Sequence, residues 1–214
     1  MRTMLVIAVL LVAACAGPRG APASPADAFL GAFADYCGQA FEGRIVANEP
    51  AAPNDSFDAK TLVMHVRDCT ASEVRIPFHV GEDRSRTWRI KRTPAGLDLR
   101  HDHRHADGEP DPVSMYGGQT SDPGSSVRQV FPVDELSKTM FVEQGLTASV
   151  SNVWAVELQP GARYVYELSR PGRLFRIEFD LRKPVAVPPP VWGYEQVLGE
   201  IRRRPAAREC ARAG

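Results

Sequence analysis

From Gly43 onward the chain alternates apolar and polar residues with a period of two, the pattern of strands that bury one face only. In "TLVMHVRD" (61–68), Leu62, Met64 and Val66 share one face, and in "EVRIPFHV" (73–80), Val74, Ile76, Phe78 and Val80 do the same. Pairing these faces with Val66 opposite Val74 also sets Arg67 across from Glu73. Further along, Tyr164, Tyr166 and Leu168 match Phe175, Ile177, Phe179 and Leu181 across a Pro171–Gly172 turn. That hairpin places Leu168 against Phe175 and Tyr166 against Ile177, and "VWAVEL" (153–158) precedes it through Pro160–Gly161. Strands also fit 43–47, 87–92, 96–104, 113–117 and 126–131, while Gly117–Gly118 and 122–126 read as turns. About ten strands with short connections predict a mainly β fold, an antiparallel meander closed or nearly closed into a barrel.

Two helices interrupt this pattern. Ser24 and Pro25 form a cap and first turn, and Phe29, Phe33, Tyr36, Cys37, Ala40 and Phe41 recur at helical spacing, predicting a helix over 26–41. A short helix between late strands starts at an Asp134 cap, presents Leu136, Met140 and Phe141, and stops at Gly145. Gly43 following a helix resembles the start of lipocalin-like proteins, although Ile45 stands where they place a Trp. Residues 184–193, "PVAVPPPVWG", predict a polyproline II segment, followed by a short helix over 194–204. The expected organisation is a signal segment (1–14), a tether (15–25), the barrel (26–183) and a Pro-rich linker with a C-terminal tail (184–214).

The first residues, "MRTMLVIAVLLVAACAGPRG", hold an apolar run from Met4 to Ala14, shorter than the roughly 20 residues a spanning helix needs. "VAAC" at 12–15 resembles the lipobox of bacterial lipoproteins. That resemblance implies lipidation of Cys15 with palmitate-type acyl chains, membrane lipid as a partner, and a periplasm-facing place on the outer membrane. Secretion to the periplasm is the alternative. An exported chain meets oxidising conditions, so Cys37 and Cys69 are expected to pair, with a bridge from either to Cys210 as the other possibility. Acidic and basic residues number 26 each, which gives no net field toward nucleic acid.

The stretch "GLDLRHDHRHADG" (96–108) holds three of the five histidines. Leu97, Leu99, His101, His103 and His105 share one parity, so the histidines continue the inward face while Asp98, Arg100, Asp102 and Arg104 face out. Imidazoles two residues apart lie roughly 7 Å apart along a strand and can converge on one ion. A divalent metal on His101 and His103 is therefore one reading, with Asp107 or Glu109 completing the set. The order Gly96, His101, His103, Glu109, Gly117 resembles the first cupin motif with altered spacings. A second reading is a ligand pocket lined by His101, His103, His105, Tyr116, Trp88 and Phe175, with histidines titrating near neutral pH. A third is a filled barrel whose histidines form a polar layer. His65 and His79 lie on the outward parity of their hairpin and are expected at the surface. No GxSxG, phosphate-cradling glycine loop or HExxH occurs, which leaves those hydrolase and nucleotide classes without support.

Across residues 26–182, the stretches "MHVRDC", "RIPFHVGEDRSRTW", "HDHRHADG" and "SVSNVWAVEL" are similar to a group of exported proteobacterial lipoproteins to which no activity is attached. The resemblance implies an envelope protein and assigns no catalytic residue. The function readings that stand are a small-ligand binder, a metal-dependent enzyme, and a structural lipoprotein.

Overall fold

The computed structural model describes residues 23–51, 57 and 59–194. The lipobox cysteine, the pairing alternative at Cys210 and nearly all of the 194–204 helix lie outside them. Eleven strands follow in chain order: β1 (Ala40–Glu49), β2 (Leu62–His65), β3 (Asp68–Cys69), β4 (Glu73–Val80), β5 (Asp83–Thr93) and β6 (Gly96–His103). Then come β7 (Tyr116–Gln119), β8 (Arg128–Pro132), β9 (Val153–Gln159), β10 (Arg163–Arg170) and β11 (Arg173–Val185). Helix α1 (Pro25–Gly31) precedes them, and α2 (Glu135–Glu143) lies between β8 and β9.

All pairings are antiparallel, in the order β7-β6-β5-β4-β2-β1-β11-β10-β9-β8, with β3 extending the β4 hairpin. The first strand joins the last, so one sheet curls almost completely around a core that includes Phe41, Met64, Ile76, Ile90, Phe131 and Phe179. Mainly β architecture, meander connectivity and near-closure all follow the alternation in the sequence. The β10–β11 register pairs Leu168 with Phe175 and Tyr166 with Ile177 as expected.

The remaining seam lies between β7 and β8. It is closed by α2: Gly117 N–H donates to Ser137 Oγ at 2.8 Å, and Asp134 N–H donates to the Gly117 carbonyl at 3.0 Å. A Cβ on Gly118 would lie 1.8 Å from the Pro132 carbonyl oxygen, so only glycine allows the two strand edges this close. Gly117–Gly118 is thus a strand at the seam, not the turn its composition suggests.

Several local expectations are corrected. The first helix ends at Gly31, passes into a 3₁₀ segment (Ala32–Tyr36), and Ala40 and Phe41 already belong to β1. Gly38, at φ +82°, breaks the helical run, and its N–H bonds to the Val66 carbonyl at 2.7 Å. The β2–β4 register sets Met64 against Phe78, two residues away from the expected match, and Arg67 does not face Glu73. Near the turn, Cys69 pairs with Val74, because Thr70 Oγ1 accepts the N–H groups of Ser72 and Glu73 and closes a tight loop there. Glu73 ion-pairs instead with Arg75 and Arg89. On α2, Leu136 is exposed, and Ser137 with Phe141 forms the buried face. Strand β11 runs on through Pro184, opposite Phe41 and beyond the end of β10, where a missing N–H breaks no ladder.

Cys37 and Cys69 form a disulfide that clips the segment before β1 to the β3 turn. From Val185 the chain crosses the outer face of the sheet. Val191 is fully buried, Trp192 N–H donates to the Arg84 carbonyl, and Tyr194 OH donates to Asp102 Oδ2 at 2.6 Å. The Tyr194 ring sits between the Arg67 and Arg104 guanidiniums. Asp102, expected in solvent, is therefore covered, and His79, expected at the surface, is also buried. Among the described residues no helix is long and apolar enough to cross a membrane.

Candidate functional site: the barrel mouth

Strand β6 keeps its parity as far as His103. Leu97 and Leu99 are fully buried, His101 is buried, and His103 is half-buried at the rim. Beyond it the chain turns tightly, with His105 N–H bonded to the Glu109 carbonyl and Gly108 N–H to the His105 carbonyl. The His105 ring is consequently exposed, with Nε2 3.7 Å from Asp111, and does not line the mouth.

His101 is held at both nitrogens. Nδ1 lies 3.2 Å from the Tyr116 carbonyl, which can only accept, so Nδ1 carries the proton. Nε2 therefore accepts from the Tyr166 hydroxyl at 2.8 Å. The His101 ring stacks on Tyr116 with centroids 4.6 Å apart, and Tyr116 OH lies 3.2 Å from His103 Nε2. Trp88 stacks on Tyr166 at 4.4 Å and on Phe78 at 4.6 Å. An aromatic stack thus runs across the upper barrel and ends on the histidine strand.

Burial sets the protonation of this cluster. It pushes the His101 imidazole down to about 3, with His103 and Arg100 adding to the effect and the Tyr116 carbonyl opposing it. Burial and the nearby Arg86 push His103 down to about 4. Burial also pushes the Tyr116 phenol up to about 12 and raises that of Tyr166, whose hydroxyl the Trp88 and Trp154 indoles partly compensate. The whole cluster is neutral near pH 7, in place of the expected neutral-pH titration.

Above these rings opens a cavity of about 270 Å³. The expected residues His101, His103, Tyr116, Trp88 and Phe175 all line it. Trp154, Tyr166, Asn152 and three arginines (Arg86, Arg170 and Arg173) also line it, and sequence reasoning had not singled them out. Their signal was present. Arg86 shares the parity of Trp88 and Ile90, Arg170 that of Tyr166 and Leu168, and Arg173 that of Phe175 and Ile177. Each is an inward-parity polar residue at a strand end, as His103 is.

A metal does not fit this arrangement. Both His101 nitrogens are occupied by protein partners, and ligation would strand the buried Tyr166 hydroxyl or the Tyr116 carbonyl. Asp107 and Glu109 sit exposed in the loop after β6, and among the described residues no three His, Cys, Asp or Glu groups are placed to hold an ion.

Fold and site together define a nearly closed antiparallel β-barrel with an aromatic, arginine-rimmed cavity at one end. Comparison with family models, curated proteins and solved structures finds no match to the chain.

Proposed function

We infer that this chain is a lipid-anchored envelope protein, facing the periplasm from the outer membrane, whose barrel binds a small ligand at its mouth. The observation that carries the binding reading is the cavity. It opens where the inward face of several strands turns from apolar to polar, and it is lined by His101, His103, Tyr116 and Trp88. At about 270 Å³ it lies just below the ~300–1,000 Å³ typical of sites for drug-sized molecules, so the ligand is small. Rings and a few fixed polar groups on rigid strands make a preorganised site, with little ordering left to occur on binding. The anchor rests on the lipobox resemblance at Val12–Cys15.

A filled, purely structural barrel is favoured by one observation, the tight stacking of Phe78, Trp88 and Tyr166 across the interior. This confines any ligand to the mouth. Native mass spectrometry of protein extracted from membranes separates the two readings. A co-purifying small molecule that is lost on Leu168→Trp, which fills the mouth, supports the binder. Absence of such a molecule, together with no saturable binding of small aromatic probes, supports the filled barrel.

A further inference from the structure

Among the described residues, the charge at the cavity rim is of one sign: no Asp, Glu or Lys lines it, whereas Arg86, Arg170 and Arg173 do. Arg86 is neutralised by Asp83. Arg170 instead donates to the neutral Asn152 side chain at 3.0 Å, and Arg173 donates to the carbonyls of Glu49, Pro50 and Leu174. Among the described residues neither has a carboxylate within ion-pair reach. They also sit directly across from each other at the end of the β10–β11 hairpin. Like charges placed opposite on neighbouring strands destabilise the pair, so this arrangement works against folding unless something else compensates it. Elsewhere on the same two strands the protein does compensate: Arg176 pairs with both Glu157 and Glu167, and Arg163 with Glu178. On these two strands, among the described residues, the arginines without a carboxylate are the pair at the mouth.

Below the arginines the walls are flat and apolar. Phe175 packs under the Arg173 guanidinium, with Leu168, Trp88 and Tyr116 further in. The histidines contribute no charge of their own near pH 7. A ligand seated here has ring faces around its inner body and, at its outer end, two guanidiniums with no carboxylate partner among the described residues.

We propose that the mouth selects a small organic anion with a flat apolar body, its acid group held between Arg170 and Arg173. This rests on the ligand-binding reading above and narrows it to a chemical class. Guanidinium forks favour carboxylate and related oxyanions through paired, charge-assisted hydrogen bonds.

The test compares three probes of one shape by isothermal titration against the full chain: 2-naphthoate, 2-naphthamide and 2-naphthylmethylammonium. Naphthoate should bind about tenfold or more tightly than naphthamide, with the ammonium weakest, and only naphthoate should weaken as salt is raised. In Arg170→Gln/Arg173→Gln the naphthoate advantage should vanish while naphthamide affinity stays, which also shows that the variant is folded. Equal affinity of the acid and the amide, or no salt dependence for naphthoate, overturns the anion selectivity and leaves the binding reading standing. No saturable binding of any of the three overturns both.

Discussion

Acidification from pH 7.5 to pH 5 should destabilise the barrel through its buried histidines. In the unfolded chain each imidazole titrates near 6.5. In the folded protein His101 is pushed down to about 3 and His103 to about 4, so both stay neutral until far lower pH. Between 6.5 and those values only the unfolded state takes up protons, and stability falls as pH falls. At pH 5 each ring has lost 1.5 pH units of that advantage, roughly 2 kcal/mol at ~1.4 kcal/mol per unit, or about 4 kcal/mol for the pair. His79, buried and pushed down to about 4, acts in the same direction. Carboxylates do not obscure this window. The Asp27, Glu73, Asp83 and Asp134 carboxyls are held below their ordinary values, so their contribution is lost chiefly as pH falls through the unfolded values of 3.8 to 4.5, below this window. A domain of ordinary stability, about 5–15 kcal/mol, would lose a large share. Urea unfolding at the two pH values, with the disulfide intact, reads the difference directly. A change smaller than about 1 kcal/mol would refute the claim that burial keeps these rings neutral.

Four further outcomes follow from particular contacts. Replacing Tyr166 by Phe leaves the His101 Nε2 lone pair without its donor and should cost about 1–3 kcal/mol in urea unfolding; a neutral substitution would remove the hydrogen bond from the account. Removing the Cys37–Cys69 bridge, which spans 32 residues, should lower stability by about 3–4 kcal/mol by chain-entropy reasoning, read as a lower thermal midpoint of the double Ala variant. Gly118→Ala should force β7 from β8 and speed amide exchange at Gly117 and Asp134, whereas wild-type exchange would show that the seam tolerates a side chain. Cys15→Ala should move the protein from the membrane to the soluble fraction, and unchanged sedimentation would count against lipidation.

What could be read from residues alone depended on whether local chemistry or distant contacts decided each element. The β10–β11 hairpin was readable to the residue because a Pro–Gly turn sets its register and alternating aromatics set its face. The β2–β4 register was not, since a two-residue slip keeps apolar residues opposite one another (Leu62 with Val80, Met64 with Phe78), and the loop closed by Thr70 decides between the two registers. Gly117–Gly118 looked like a turn because the pressure for glycine there comes from backbone remote in sequence, the Leu99 carbonyl against Gly117 and the Pro132 carbonyl against Gly118. At the site, parity correctly oriented His101 and placed His103 at the rim. It misplaced His105, because strand geometry ends at His103 and parity has no meaning beyond it. The arginines at the mouth obey the same inward parity but come from separate strands, and only the barrel's closure brings them together.

The central claim is that small molecules occupy the barrel mouth, and the three tryptophans test it with an internal control. Trp88 and Trp154 line the cavity, whereas Trp192 lies on the segment crossing the outer face of the sheet. In ¹H–¹⁵N spectra each indole N–H gives its own signal, and 2-naphthoate can be titrated against all three together. Occupation of the mouth predicts saturable shifts of the Trp88 and Trp154 signals while the Trp192 signal stays in place. Shifts confined to Trp192, or none at all at millimolar probe, would contradict it.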